Sequence, residues 1–276
     1  MKIRLASYNI HLGIGRDGEF NPERIAQVID ELDADTIALQ EVSLGVQGFD
    51  MPDFLSKRCG LTAITGPTLI TPSHEYGNAI LTRLKAGSIY RWNLTVGARE
   101  PRGAIDAHLH HQGMTVRVIA THLGLWPAER RRQIRLLLEI ISKDNRFPTI
   151  LLGDVNEWFL WGRPLRWMHR YFKSPPAPAT FPSGRPMFAL DRIWVDPNRA
   201  LKWVMAHTSD IARVASDHLP IVADIELENT MTTVHRIGSR TPSLPEDPPW
   251  TCKLGMDLTS NTRPIARPWR ILRGSR

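Results

Sequence analysis

Cysteine is nearly absent from this 276-residue chain. Two thiols, Cys59 and Cys252, cannot build a disulfide framework, and a reducing compartment suits them. Long apolar runs are missing too. None approaches the ~20 residues of a membrane-spanning helix, and the opening residues MKIRLASYN hold no apolar stretch of secretory length. A cytoplasmic protein is the expectation. Charge of one sign is also scarce over most of the chain. The formal charge is +7, but residues 229–276 carry eight Lys/Arg against three Asp/Glu, which leaves residues 1–228 at +2. The larger part therefore offers no bulk electrostatic case for a polyanion, although a local basic patch can still bind one.

The apolar and charged fractions, 42% and 23%, leave ample material for a core. Short apolar runs over residues 3–10, 36–40, 77–82, 88–96, 104–110, 115–121, 148–152, 192–195 and 220–227 read as strands, and His111-Gln112-Gly113 reads as a hairpin turn. Asn21 is placed to cap a helix whose first residue is Pro22, with Ile25, Val28, Ile29 and Leu32 at helical spacing. A second amphipathic helix is expected over residues 127–143, with Ile134, Leu137, Leu138 and Ile141 on one face. Strands interleaved with helices predict an α/β layered domain over residues 1–228. Residues 229–276 form a basic tail, with six prolines after residue 240 and little periodicity, expected to be disordered or draped on the surface.

Polar groups gather where these strands end. Asn9 and His11 close the first run and Glu41 the second. His122 closes another, Asp154 and Asn156 follow residues 148–152, Asp191 opens a strand, and Asp217-His218 precedes the last one. Strand ends of α/β layers are where side chains converge on a crevice. Taken singly, each group has a plainer role as a turn former, a cap or a solvated loop residue.

In order and context, Tyr8-Asn9, Gln40-Glu41, Gly77-Asn78-Ala79-Ile80, Thr121-His122-Leu123-Gly124, Gly153-Asp154-Val155-Asn156, Leu190-Asp191-Arg192-Ile193 and Ser216-Asp217-His218 resemble the motifs of the endonuclease/exonuclease/phosphatase superfamily. The likeness runs from Ile3 to about Leu227 and is closest in character to small bacterial stand-alone members. It implies a deoxyribonuclease I-like four-layer sandwich: two packed mixed sheets with helices outside. It also implies a phosphoester hydrolase using Mg²⁺ or Mn²⁺, a hard cation suited to carboxylate and amide oxygens. Glu41, Asn9 and Asp217 are the metal-ligand candidates. Asp154 would orient and deprotonate water, with Asn156 holding the phosphate or that water. His218, with its tautomer fixed by Asp191, and His122 would donate to phosphoryl oxygens. Asn78, Arg102 and His11 are candidate phosphate contacts.

Two departures bear on the branch. Members acting on abasic DNA carry an acidic residue where this chain has His11, and a tyrosine where it has His122; both argue against abasic-site repair. Residues 158–173 then interleave Trp158, Phe159, Trp161, Trp167, Tyr171 and Phe172 with Arg163, Arg166, Arg170 and Lys173. This segment is either a lid or helix burying its rings, or a surface for lipid or stacked bases; with the basic tail it would contact a membrane peripherally. A monomeric esterase of lipid head groups or small soluble phosphoesters is the first reading. A nuclease, with DNA or RNA as partner, and a non-catalytic binding module on the same fold are the alternatives.

Overall fold

Period-two alternation runs through the strands and decides the layering. The computed structural model describes residues 1–46, 49–71 and 74–228, so the expected tail lies outside the described residues. The strands are β1 (Lys2–Asn9), β2 (Thr36–Val46), β3 (Phe49–Asp50), β4 (Thr62–Thr71), β5 (His74–Thr82), β6 (Lys85–Asn93), β7 (Gly103–His111), β8 (Met114–His122), β9 (Thr149–Asp154), β10 (Asp191–Asp196), β11 (Leu201–Ala206) and β12 (Ile221–Glu226). The helices are α1 (Pro22–Leu32), α2 (Met51–Cys59), α3 (Pro127–Lys143), α4 (Arg163–Phe172) and α5 (Ala212–Ala215). Among the described residues one sheet runs β11-β12-β1-β2-β5-β4, with β3 on β2, and the other β10-β9-β8-β7-β6. Both are mixed: β1 is parallel to β2 and β8 to β9, while the other pairs are antiparallel.

One face of each sheet meets the other sheet. Leu5, Ala38, Ile80 and Ala223 from the first interlock with Ile105, Val118, Ile150, Leu152 and Ile193 from the second. On the first sheet's outer face, Tyr8, Ile37 and Leu39 pack under α1, α2 and α5. On the second's, Ile119, Leu151 and Trp194 pack under α3 and α4. The result is the four-layer α/β sandwich with helices outside. Each large apolar side chain so buried contributes about 1.5–3 kcal/mol. No helix among the described residues is long and apolar enough to cross a membrane.

Local signals explain the elements. Asn21 Oδ1 accepts the Arg24 amide at 3.1 Å, the cap expected of it. The β7–β8 turn uses Gln112 and Gly113, both at positive φ, as a two-residue hairpin requires. Arg117 on β8 pairs with buried Asp106 at 2.6 Å and donates to the carbonyls of Ile140, Ile141 and Asp144, closing the C-terminus of α3. Breaking that pair would leave a buried charge, a loss of about 3–5 kcal/mol.

Several bounds differ from expectation. The strand expected at 88–96 spans Lys85–Asn93, an edge strand with a bulge between Ala86 and Ile89. The second strand does not end at Gln40 but continues to Val46. The aromatic segment splits: α4 buries Leu165, Met168 and Phe172, while Trp158, Phe159 and Trp161 stay exposed in the preceding loop.

Candidate active site

The candidate site is the inter-sheet face continued past its last apolar residue. Counting by twos from Ile3 and Leu5 leads through Ser7 to Asn9; from Val118 and Ala120 to His122; from Ile150 and Leu152 to Asp154; and back from Val195 and Ile193 to Asp191. All four side chains are buried. The pairs β1–β2 and β8–β9 are parallel, so their C-terminal ends lie together and His122 stands directly opposite Asp154.

Glu41 arrives by a different device. Leu39 pairs with Ala79 but Val42 with Gly77, so β2 carries one extra residue there. Leu39 and Val42 both face the helix-covered side, which leaves Gln40 and Glu41 toward the other sheet. Gln40 Oε1 accepts from Ser7 Oγ at 3.3 Å, and Glu41 Oε1 accepts from Asn9 Nδ2 at 3.2 Å. Glu41 adopts φ +54° and Asn156 φ +51°, left-handed conformations that cost energy outside glycine and gather at functional sites.

Asp154 is the hub. Its Oδ2 accepts from Asn9 Nδ2 at 3.1 Å and lies 3.6 Å from His122 Nε2 and 3.7 Å from His218 Nε2; its Oδ1 accepts the Asn156 amide at 2.9 Å. Burial pushes the Asp154 carboxyl up to about 7, against the pull of His218. His218 Nδ1 donates to Asp191 Oδ2 at 2.9 Å, and Thr180 Oγ1 donates to the same oxygen at 2.5 Å. Burial alone would neutralise His218, but the Asp191 and Asp154 carboxylates outweigh it and carry the imidazole up to about 10. The ligating atoms of Asp154, Asp191 and His218 lie within 4.8 Å of one another. Because His218 is cationic, it already supplies the positive charge that these two carboxylates share.

His122 is its opposite. Burial, the Arg102 guanidinium and His218 all hold its pKa well below the usual value, so the ring is neutral. Arg102 Nη1 sits 3.2 Å from Nδ1 and Asn156 Nδ2 sits 3.1 Å from Nε2. Both neighbours bring donors to a ring with one lone pair. The charged guanidinium is the stronger donor and can never accept, so Nδ1 takes its hydrogen bond and the ring proton stays on Nε2. Asn156 Nδ2 donates to the Leu123 carbonyl at 2.9 Å.

The Ser216-Asp217-His218 loop is stapled in place. Ser216 Oγ donates to the Asn9 carbonyl at 2.7 Å, Ser183 Oγ to the Ser216 carbonyl at 2.6 Å, and the Leu219 amide to the Thr180 carbonyl at 2.9 Å. Half-buried Asp217 accepts from Ser216 Oγ at 3.4 Å. Thr180 and Ser183, which the sequence reading missed, lie in a proline-rich stretch with no periodicity to mark them.

The three residues expected to contact phosphate hold protein groups. Asn78 Nδ2 donates to the Gly103 carbonyl at 3.1 Å. Arg102 holds His122 and, at 3.0 Å, Glu100 Oε2. His11, at φ +46°, places Nδ1 3.1 Å from the Ile14 carbonyl, and its amide donates to Asn9 Oδ1 at 3.1 Å.

Residues 6–218 match the model of the endonuclease/exonuclease/phosphatase family. The chain belongs to that family. Its members are metal-dependent phosphoesterases or nucleases. The chain is similar to the uncharacterised protein YbhP of Escherichia coli, 27% identical over 246 residues that span 81% of this chain and 96% of that one. A similar solved structure is the endonuclease/exonuclease/phosphatase from Beutenbergia cavernae, 22% identical with TM-score 0.68, covering 82% of this chain and 72% of that one. Another is the mannosyl-6-phosphatase of Bacteroides thetaiotaomicron, 18% identical with TM-score 0.65, covering 80% and 98%. At these identities the solved structures share the family's fold, and the buried Asp/Asp/His cluster sits where that fold brings its strand ends together.

Proposed function

We propose that this chain is a divalent-cation-dependent phosphoesterase acting on a lipid head group or a small soluble phosphoester. The observation that carries the reading is one carboxylate oxygen, Asp154 Oδ2, held by Asn9 and flanked by a neutral and a cationic imidazole. Such an oxygen can take a proton from water while the two Nε2–H groups donate to oxygens of the phosphoryl group. Oxygen from water bonds to phosphorus, the ester P–O bond breaks, and the alcohol oxygen leaves.

The residues also suit a hard cation. Asp191 Oδ1 is buried with no hydrogen-bond partner among the described residues, so an oxygen acceptor stands open in the cluster. Glu41, Asn9 and Asp217 would hold Mg²⁺ or Mn²⁺, all offering oxygen. When bound, the cation would neutralise phosphoryl charge and the departing alkoxide. Asn9 would also orient Asp154, and Asn156 the attacked group. Arg102 acts one step back, keeping the His122 proton on Nε2. Asn78, by holding Gly103, braces the start of β7 beside Arg102, and His11 fixes Asn9.

The near balance of charge in residues 1–228 favours a small or lipid ester over nucleic acid. A turnover panel with Mg²⁺ or Mn²⁺ tests this: bis-p-nitrophenyl phosphate, p-nitrophenyl phosphate, phospholipid vesicles and plasmid DNA. Hydrolysis of the small or lipid esters is expected. Cleavage of DNA alone would transfer the reading to a nuclease, and no turnover with any cation would overturn it.

A further inference from the structure

Bulky apolar side chains at the corners of a surface turn need a reason, because turns there normally take Gly, Pro, Asn, Asp or Ser. The Gly162 amide donates to the Phe159 carbonyl at 2.9 Å, closing a turn whose two corners are Leu160 and Trp161. They are 60% and 72% exposed. Phe159 stacks at a tilt on Trp161, with ring centroids 5.8 Å apart, and is itself exposed. A Cβ on Gly162 would collide with the Glu157 carboxyl, so the turn is drawn tightly back against its own base.

A second apolar tip stands beside the first. Leu125 and Trp126 follow β8 as the aromatic turn follows β9, and β8 and β9 are parallel neighbours. They are 58% and 60% exposed. Buried Arg130 ties the two loops together: Nη1 donates to the Leu125 carbonyl at 2.6 Å, and Nε to Glu157 Oε2 at 3.2 Å. The pair of tips is thus fixed to the strand ends that carry His122 and Asp154. Trp158 connects inward, its ring 5.8 Å from Phe181, which lies 4.9 Å from His218.

Charge follows immediately. On α4, Arg163, Arg166 and Arg170 recur at i, i+3 and i+7, on one exposed face opposite Leu165, Met168 and Phe172, and exposed Lys173 follows the last residue of the helix. None has an ion pair among the described residues, and the helix contains no acidic side chain. Arg163 and Arg166 open the helix, where its dipole disfavours cations, so these charges do not serve the helix itself.

We propose that this rim docks the enzyme on an anionic lipid bilayer, with Leu125, Trp126, Phe159, Leu160 and Trp161 entering the interface and the α4 stripe lying on acidic head groups. The proposal rests on the phosphoesterase reading only for its purpose, which is to bring the site mouth to a membrane-borne ester. Protruding aliphatic tips suit hydrocarbon, whereas a nucleic-acid surface would present flat rings without Leu125 and Leu160. Aromatic rings at head-group depth and cations beside them are the usual interfacial pair.

The test is vesicle co-sedimentation of the full chain with phosphatidylcholine vesicles, alone or containing phosphatidylglycerol. Turnover of bis-p-nitrophenyl phosphate is measured on the same samples. Wild type is expected to pellet with the anionic vesicles. L160S/W161S should weaken that partition by roughly tenfold to a hundredfold, and R166E/R170E should abolish the preference for anionic lipid, both leaving soluble-ester turnover unchanged. Failure of wild type to pellet, or equal pelleting of L160S/W161S, would overturn the proposal. So would loss by these variants of single-stranded DNA binding with vesicle binding intact. If vesicles are bound but no ester is hydrolysed, docking stands and the phosphoesterase reading falls.

Discussion

Asp154 and Trp161 are seven residues apart, yet they occupy the two extremes of the molecule. Asp154 ends a strand, is buried, and has its oxygens shared among Asn9, the Asn156 amide and two imidazoles. Trp161 caps a turn, is 72% exposed, and meets only Phe159 among the described aromatic rings. The floor is specified by geometry that tolerates little change, because each group fixes the charge or tautomer of the next. The rim is specified by hydrophobicity and position alone, so conservative exchange there should go unnoticed by the chemistry. The two regions should therefore separate cleanly under mutation.

The largest effect falls on the floor. Asp154→Asn should reduce turnover about a thousandfold or more while leaving the melting temperature equal or higher, since a buried carboxyl held near 7 is poorly solvated. Turnover within a few fold of wild type would remove Asp154 from its role as base. Next comes Asp191→Asn. His218 stays protonated to about pH 10 because Asp191 and Asp154 outweigh its burial, so the alkaline limb of the pH profile should lie high in wild type. Removing the Asp191 charge lowers that pKa, and the alkaline limb should move to lower pH; an unmoved limb would separate His218 from the rate.

Arg102→Met sharpens the comparison further. If Arg102 holds the His122 tautomer, kcat should fall about tenfold or more with little change in KM. A rise in KM with kcat preserved would instead return Arg102 to the phosphate. At the small end, Leu160→Ser should leave the melting temperature and soluble-ester turnover within error, as an exposed turn corner should. A clear loss of stability would show that the rim is packing and not a contact surface.

The sequence made the floor legible because its groups lie two residues beyond apolar runs, where a period-two count carries them onto the inter-sheet face. Asn9, His122, Asp154 and Asp191 all obey that count. The unassigned elements gave weak patterns for identifiable reasons. β4 is an edge strand interrupted by Gly66 and Pro67, with a bulge between Pro67 and Leu69. β11 is a half-exposed edge strand, and α2 buries only Met51, Pro52 and Leu55. Arg102 and Asn78 stand in the sequence as candidate phosphate contacts, and the protein groups they hold are not legible there, because a partner such as the Gly103 carbonyl leaves no mark in side-chain composition. Thr180 was invisible for a related reason. Its hydroxyl matters only through Asp191, eleven residues away along an irregular loop.

The extra residue in β2 separates heredity of fold from heredity of chemistry. Were Glu41 missing, Val42 would take the pairing position beside Gly77 that an uninterrupted ladder from Leu39 and Ala79 demands, still facing α1 and α2. Every apolar contact of the strand would survive and a left-handed backbone would be relieved. A descendant one codon shorter could thus inherit a sounder sheet and lose the carboxylate, so in this fold a gap at that position tells more about activity than the match of the strand around it.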